Sequence, residues 1–410
     1  MTDVFRVSRM RQAPATKPNS KETNLMQLRG RSYVNGEPIC VTIEGERIAR
    51  VDPAWPEGDS AAWPWIAPGL FDLQINGHKG VWFCDPKLTA EQVLTVLESH
   101  FAFGITRMCP TLITASFDAL AAGVQAIRQA CESIAWADKM VPGIHLEGPH
   151  ISAEDGPRGA HPIAQVRPAD WDEFRRLQDI SGNRIRLVTL APETGNAVEF
   201  IRQAVASGVT VSIGHTGATP EQVAAAVDAG ATMSTHLGNG AHGMIRRHPN
   251  YIWEQLGDKR LFACLITDGH HLPASVIRSV VRAKSTMHTI ITCDSAGLAG
   301  CPPGRYQIES GEVEILPEGK IVVAANPQYL AGSAQLTDAC VAHAIRAAGL
   351  SLHDAWNMAS RNTARALKVE EHRLARGSRA DLVLFNWNGP GDDIHIRTTV
   401  AAGVLRFGTV

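Results

Sequence analysis

No stretch of this 410-residue chain is long and apolar enough to cross a bilayer, so a membrane partner is not expected. No run of lysine and arginine forms a basic stripe, and 39 basic against 41 acidic side chains leave a formal charge of −2. A nucleic acid would find nothing to dock on. The eight cysteines are scattered, with no C-x-x-C pair, and several sit inside apolar runs where a free thiol acts as a small hydrophobe. A reduced, cytoplasmic protein is expected. Internal repeats and low-complexity tracts are absent. Residues 1–25 are polar and mixed in charge, lack the apolar segment of a secretory signal, and read as a loose arm.

Residues 26–65 carry short β-like pieces (Arg31–Val34, Ile39–Ile43, Ile48–Val51) between Asn-Gly, Glu-Gly and Pro-rich turns. From Ile66 the pattern changes to apolar strand-like runs alternating with Ala-rich helical stretches, the sign of a parallel sheet with crossover helices. Eight such runs fall near 66–76, 105–113, 141–147, 185–191, 209–215, 232–236, 261–267 and 289–294. That count predicts an α/β fold, a (β/α)8 TIM-like barrel over residues 66–375, with its chemistry at the C-terminal strand ends. An open doubly wound sheet would want a Gly-rich phosphate turn after its first strand, and Phe71-Asp72-Leu73-Gln74-Ile75-Asn76-Gly77 is not one. After the eighth strand comes a hairpin-like excursion and then helices near 334–348 and 352–359. Residues 376–410 return to β patterning and are expected to join 26–65 in a small β-sandwich. The aromatics Trp63, Trp65, Trp82 and Phe83 read as packing between the two domains.

Four of the apolar runs end in a polar group. Glu147 enters a Gly-Pro turn after Ile144-His145-Leu146, His215 follows Val211-Ser212-Ile213-Gly214, His236 follows Met233-Ser234-Thr235, and Asp294 follows Ile290-Ile291-Thr292-Cys293. A lone histidine at a strand end is usually a hydrogen-bonded structural residue, and a glutamate before Gly-Pro can simply cap a turn. Four together at the strand ends of one barrel read as a site. Imidazole and carboxylate suit a divalent metal such as zinc, so Glu147, His215 and His236 are candidate ligands. Asp294 is then the candidate general base, taking a proton from water and handing it to a leaving amine.

These residues sit in a longer series of motifs: Ala67-Pro68-Gly69-Leu70-Phe71-Asp72-Leu73-Gln74-Ile75-Asn76-Gly77, His145-Leu146-Glu147-Gly148-Pro149, Gly159-Ala160-His161, Gly214-His215-Thr216, Thr235-His236-Leu237-Gly238-Asn239, Asp268-Gly269-His270-His271, Asp294-Ser295-Ala296 and Leu330-Ala331-Gly332-Ser333. In this order the series resembles the N-acetylglucosamine-6-phosphate deacetylase family of the amidohydrolase superfamily, from about Arg31 to the end of the chain. The resemblance implies removal of an acetyl group from a phosphorylated amino sugar by a homodimer. It also implies that His161 steadies the acetamide carbonyl, that Asn239, the Gly240 backbone and Arg247 meet the sugar phosphate, that His271 binds substrate, and that Leu330 opens a loop closing over the sugar.

Three departures stand out. The His-x-His that many amidohydrolases carry on the first strand reads Gln74-Ile75-Asn76, so one divalent metal per chain is expected: zinc, with other divalent transition metals as alternatives. The usual Asn-Ala-Met reads Asn239-Gly240-Ala241, followed by the unusual 242–249. The loop 152–158 is longer than usual. The last two lie where the sugar would sit, which leaves open an amidohydrolase acting on another N-acyl amine, an amino-sugar epimer or a cyclic amide. A barrel without catalysis, serving as a binding module, is disfavoured by the intact set of four.

Overall fold

A computed structural model describes residues 25–55, 58, 60–308 and 311–409. The arm read over residues 1–25 falls, save Leu25, outside them. Eight parallel strands form the barrel: Leu70–Ile75, Ile105–Ile113, Ile144–Glu147, Ile185–Leu190, Thr210–Ile213, Met233–Ser234, Phe262–Ile266 and Thr289–Thr292, each paired with the next in chain order. Between the eighth and the first, a bridge pairs Ser295 with Ile75. The buried Asp72 carboxylate reinforces that seam by accepting from the Cys293 amide at 2.9 Å, from Thr337 Oγ1 at 2.6 Å, and from the Thr292 hydroxyl. Inward-facing Phe71, Leu73, Cys109, Leu187, Met233, Cys264 and Ile290 fill the barrel, and Ala364, Ala366 and Leu367 close its floor.

The crossover helices lie where the alternation put them, and their starts are chemically explicit. Thr89 with Gln92, and Thr219 with Gln222, form reciprocal capping boxes, the second with Pro220 in the first turn. Asn250 caps a helix, Tyr251–Gly257, that the sequence analysis did not anticipate; its Oδ1 accepts from the Ile252 and Trp253 amides, each at 3.1 Å. The excursion after the eighth strand is a four-stranded antiparallel sheet: Gly304–Ile308, Gly311–Ile315, Lys320–Val323 and Asn326–Ser333.

The two chain ends meet in one seven-stranded sheet. It closes on its own core of Leu28, Val41, Ile43, Ile48, Ile66, Leu382, Leu384 and Val400, giving the small β-sandwich expected beside the barrel. One boundary differs. Strand Trp65–Pro68 pairs with Leu25–Ser32 and Leu382–Asn386 in this sheet, so the barrel begins at Leu70 and not at Ile66. The apolar run continues without a break through Pro68-Gly69, which is why sequence pattern alone merged the two strands. Strand Leu382–Asn386 is the wall between the domains: Leu382 and Leu384 face the sandwich core, while Val383 and Phe385 face the barrel's, as period-two alternation requires. Trp65 packs edge-on against Trp387 on the face turned to the barrel's core, the inter-domain packing expected of it. Trp82 does not serve the domain interface; it lines the cavity described next.

Candidate active site

The third, fifth and sixth strands deliver Glu147, His215 and His236 to one point. Their ligand atoms all lie within 4.8 Å of one another, and they are the one such group among the described residues. His236 Nε2 stands 3.0 Å from Glu147 Oε1 and 3.0 Å from His215 Nε2, which is itself 3.3 Å from the carboxylate. His215 Nδ1 donates to the Pro157 carbonyl at 2.8 Å, which leaves its Nε2 a lone pair aimed at the same point. Three electron-pair donors crowded together and buried want a cation between them. The set suits a divalent metal. Burial works against ionisation of Glu147, but the two imidazoles beside it outweigh this and hold the carboxyl well below its usual range, as a ligand requires.

The backbone bears the cost of this arrangement. His215, His236 and Asp294 have φ of 52°, 28° and 50°, the left-handed region that side chains other than glycine rarely enter. Each turns abruptly where its strand ends, which throws the side chain across the barrel mouth. Gly240, at φ 55°, has no substitute: a Cβ there would stand 2.8 Å from His215 Nδ1.

Gln74 and Asn76 stand where the sequence departs from His-x-His, and here each bonds a carboxylate of the site. Gln74 Nε2 donates to Glu147 Oε1 at 2.8 Å, and Asn76 Nδ2 donates to Asp294 Oδ1 at 2.8 Å. Burial, reinforced by the Glu147 charge, pushes the Asp294 carboxyl up to about 7. His161 is buried with its ring 4.3 Å from that of His215, and its Nδ1 meets Thr114 Oγ1 at 2.7 Å. Burial, and then the neighbouring His215, lower its pKa to about 3, so the ring is neutral. His145, although it belongs to the Glu147 motif, is structural: it bonds Thr189 Oγ1 at 2.8 Å and the Leu73 carbonyl at 3.1 Å.

A cavity of about 420 Å³ opens above these groups. It brings together Glu147, His161, His215, His236, Asn239, Gly240, His271, Asp294 and Leu330, all of them singled out from sequence. His271 is held by Asp268, whose Oδ2 lies 2.7 Å from its Nδ1. Arg247 is the exception. It is exposed, does not line the cavity, and sits on a loop whose carbonyls at 246 and 247 accept from Asn250 Nδ2. The two unusual loops explain each other. Glu154 bonds His242 Nε2 at 2.8 Å, His242 Nδ1 meets the Tyr251 hydroxyl at 3.0 Å, and Gly156 lies so close to His242 that a Cβ would stand 2.8 Å from its Cα. Trp82 and Lys320 also line the cavity, and neither was anticipated. Trp82 follows the first strand on a two-residue ribbon, and Lys320 lies on the inserted sheet, so neither carried the strand-end signal.

With this geometry in view, comparison with known proteins is decisive. The amidohydrolase family matches residues 65–406. The chain belongs to the amidohydrolase family. It is 33% identical over 350 residues, 83% of either chain, to an N-acetylglucosamine-6-phosphate deacetylase from Bos taurus. It is 32% identical over 349 residues, again 83% of either chain, to an N-acetylgalactosamine-6-phosphate deacetylase from Shewanella sp. (strain ANA-3). Among solved structures, N-acetyl-D-glucosamine-6-phosphate deacetylase from Mycobacterium smegmatis superposes with a TM-score of 0.83 at 28% identity, covering 93% of this chain and 99% of that one. In a member of this family, the buried Glu147, His215 and His236 group suits a divalent metal.

Proposed function

We propose that the protein removes the acetyl group from N-acetylglucosamine 6-phosphate, releasing acetate and glucosamine 6-phosphate. The observation that carries this reading is the meeting of Glu147, His215 and His236 with Asp294 and His161 in one cavity. Glu147, His215 and His236 would hold one divalent metal per chain, zinc by the match of imidazole and carboxylate donors. Such a metal lowers the pKa of water and polarises a carbonyl.

The chain's own residues do the rest. Asp294 takes the proton of the attacking water and returns it to the amine nitrogen as the C–N bond breaks. Asn76, through its 2.8 Å bond, keeps one Asp294 oxygen occupied and the other turned to the water. Neutral His161 accepts the Thr114 hydroxyl at Nδ1 and donates from Nε2 to the carbonyl oxygen as negative charge develops there. Asn239 and the Gly240 backbone contact the sugar phosphate, His271 binds the substrate, and Leu330 covers the ring.

Arg247 belongs to this site through a homodimer. It sits on an exposed loop, and Met244 and Trp253, near it in the chain, are 94% and 54% exposed, apolar surface that a second copy would cover. From there it reaches the partner's cavity. The cytoplasm suits a chain whose eight cysteines are all free.

The galacto epimer is the second reading, because the relatives named for the two epimers are 33% and 32% identical over the same share of this chain. Acetate release should be measured on N-acetylglucosamine and N-acetylgalactosamine, each with and without the 6-phosphate. The gluco 6-phosphate is expected to lead. Faster turnover of the galacto 6-phosphate would move the assignment to the epimer, and faster turnover of either unphosphorylated sugar would overturn the phosphosugar reading.

A further inference from the structure

Among the described residues the cavity is lined by one lysine or arginine of this chain, Lys320. Lys320 opens the third strand of the inserted sheet and stands directly opposite Ser333 on the fourth. Directly opposed residues of an antiparallel pair put their side chains on the same face. The Ser333 hydroxyl identifies that face: it donates at 2.9 Å to Asp268 Oδ2, the oxygen that holds His271. Lys320 therefore rises on the side turned towards the end of the seventh strand, where His270 and His271 also line the cavity.

Two other described lysines have partners, while Lys79, Lys87, Lys259 and Lys368 stand without an ion pair among the described residues and away from the cavity. Lys139 pairs with Glu46, and Lys284 donates to two backbone carbonyls. Among the described residues the Lys320 ammonium has neither an ion pair nor a hydrogen bond, and the cavity's carboxylates, Glu147 and Asp294, belong to the metal group and the base. A solvated surface lysine is also unpaired, but it does not line the mouth of a catalytic cavity. An unpaired ammonium at such a mouth is a place for an anion.

We propose that Lys320, on the inserted sheet that also carries Leu330, is this chain's own cationic anchor for the substrate's phosphate. The proposal rests on the phosphosugar reading above. It differs from the expected role of Arg247, which a single chain leaves outside the cavity.

The test uses the full, metal-loaded protein with Lys320→Met, Lys320→Arg and, as an unrelated exposed lysine, Lys259→Ala. Calorimetric binding of glucose 6-phosphate, which carries the phosphate and no amide, is measured beside kcat/KM on N-acetylglucosamine with and without the 6-phosphate. Lys320→Met should weaken glucose 6-phosphate by about tenfold or more and lower the preference for the phosphorylated substrate by a similar factor, chiefly through KM. Added salt should shrink the difference from wild type. Lys320→Arg should restore binding to within about threefold, because either cation answers a phosphate at an open mouth. Unchanged glucose 6-phosphate affinity in Lys320→Met, or equal losses on both substrates, would overturn the proposal. Lysine-dependent binding of glucose 6-phosphate by a protein that hydrolyses neither N-acetyl sugar would uphold the anchor and sink the deacetylase reading instead.

Discussion

Asp294→Asn isolates the base from the ligands. Asp294 Oδ1 accepts from Asn76 Nδ2 at 2.8 Å, so the substituted amide keeps its oxygen towards Asn76 and turns its NH2 to the cavity. A donor then stands where the attacking water needs an acceptor. The three ligand atoms come from other strands, so the metal should stay. General acid–base groups contribute about 10²–10⁴-fold, or about 2.7–5.5 kcal/mol of barrier, and kcat should fall within that range. The pH profile gives a second reading. Burial and the Glu147 charge push the Asp294 carboxyl up to about 7, and a protonated carboxyl cannot take a proton, so wild-type kcat/KM should climb as pH rises through this group. A bound cation moves that limb to lower pH without abolishing it. In Asp294→Asn the limb should vanish. Steady-state kinetics and elemental analysis on the same preparations decide the matter: metal lost together with activity, a rate loss below tenfold, or an unchanged acid limb would each refute the assignment.

Elemental analysis of wild type should find about one divalent ion per chain, and His236→Ala should lose it; two tightly bound ions would contradict the carboxylate-bonding roles of Gln74 and Asn76. Gly240→Ala places a Cβ 2.8 Å from His215 Nδ1 at φ 55°, and metal affinity, read by competition with a chelator, should drop by about 10–100-fold. In the chelator-treated protein the raised Asp294 pKa means that the folded state holds a proton the unfolded state has released; the stability this contributes is present below about pH 4 and is lost as pH rises to about 7. Asp294→Asn should flatten that slope in melting curves. Asp381, buried under the small sheet, accepts from Arg379 Nη2 at 2.5 Å and from the Ala402 amide at 2.6 Å, and its Oδ2 lies 2.8 Å from His372 Nδ1. Asp381→Ala takes the charge partner from Arg379 and leaves the buried Ala402 amide and His372 ring unpaired, and should cost about 3–5 kcal/mol, measured by denaturant unfolding.

How much of this was legible follows from the physics of each signal. Parallel barrel strands are buried on both faces, so they read as short apolar runs between Ala-rich helices, and all eight appeared where the runs lie. A side chain that faces the barrel mouth is the last residue of its run, which is why Glu147, His215, His236 and Asp294 could be picked out together. The signal failed where pattern has no break or no period. Trp65–Pro68 flows into Leu70–Ile75 through Pro68-Gly69, and only hydrogen bonding assigned it to the other sheet. The inserted sheet is half exposed and short-stranded, so its fourth strand escaped notice even though Leu330 on it was singled out.

Local order was enough for the barrel and for the polar groups gathered at its strand ends, because both follow from which residues are apolar and which polar group ends each run. Tertiary structure decided which way those groups turn and what stands beside them. That Gln74 and Asn76 bond the Glu147 and Asp294 carboxylates, that Glu154 and His242 tie two unusual loops together, that Arg247 lies outside the cavity and Lys320 within it, all depend on contacts between segments tens to hundreds of residues apart. Nothing in a neighbouring residue encodes such a contact; it exists only once the strands are in register and the barrel has closed.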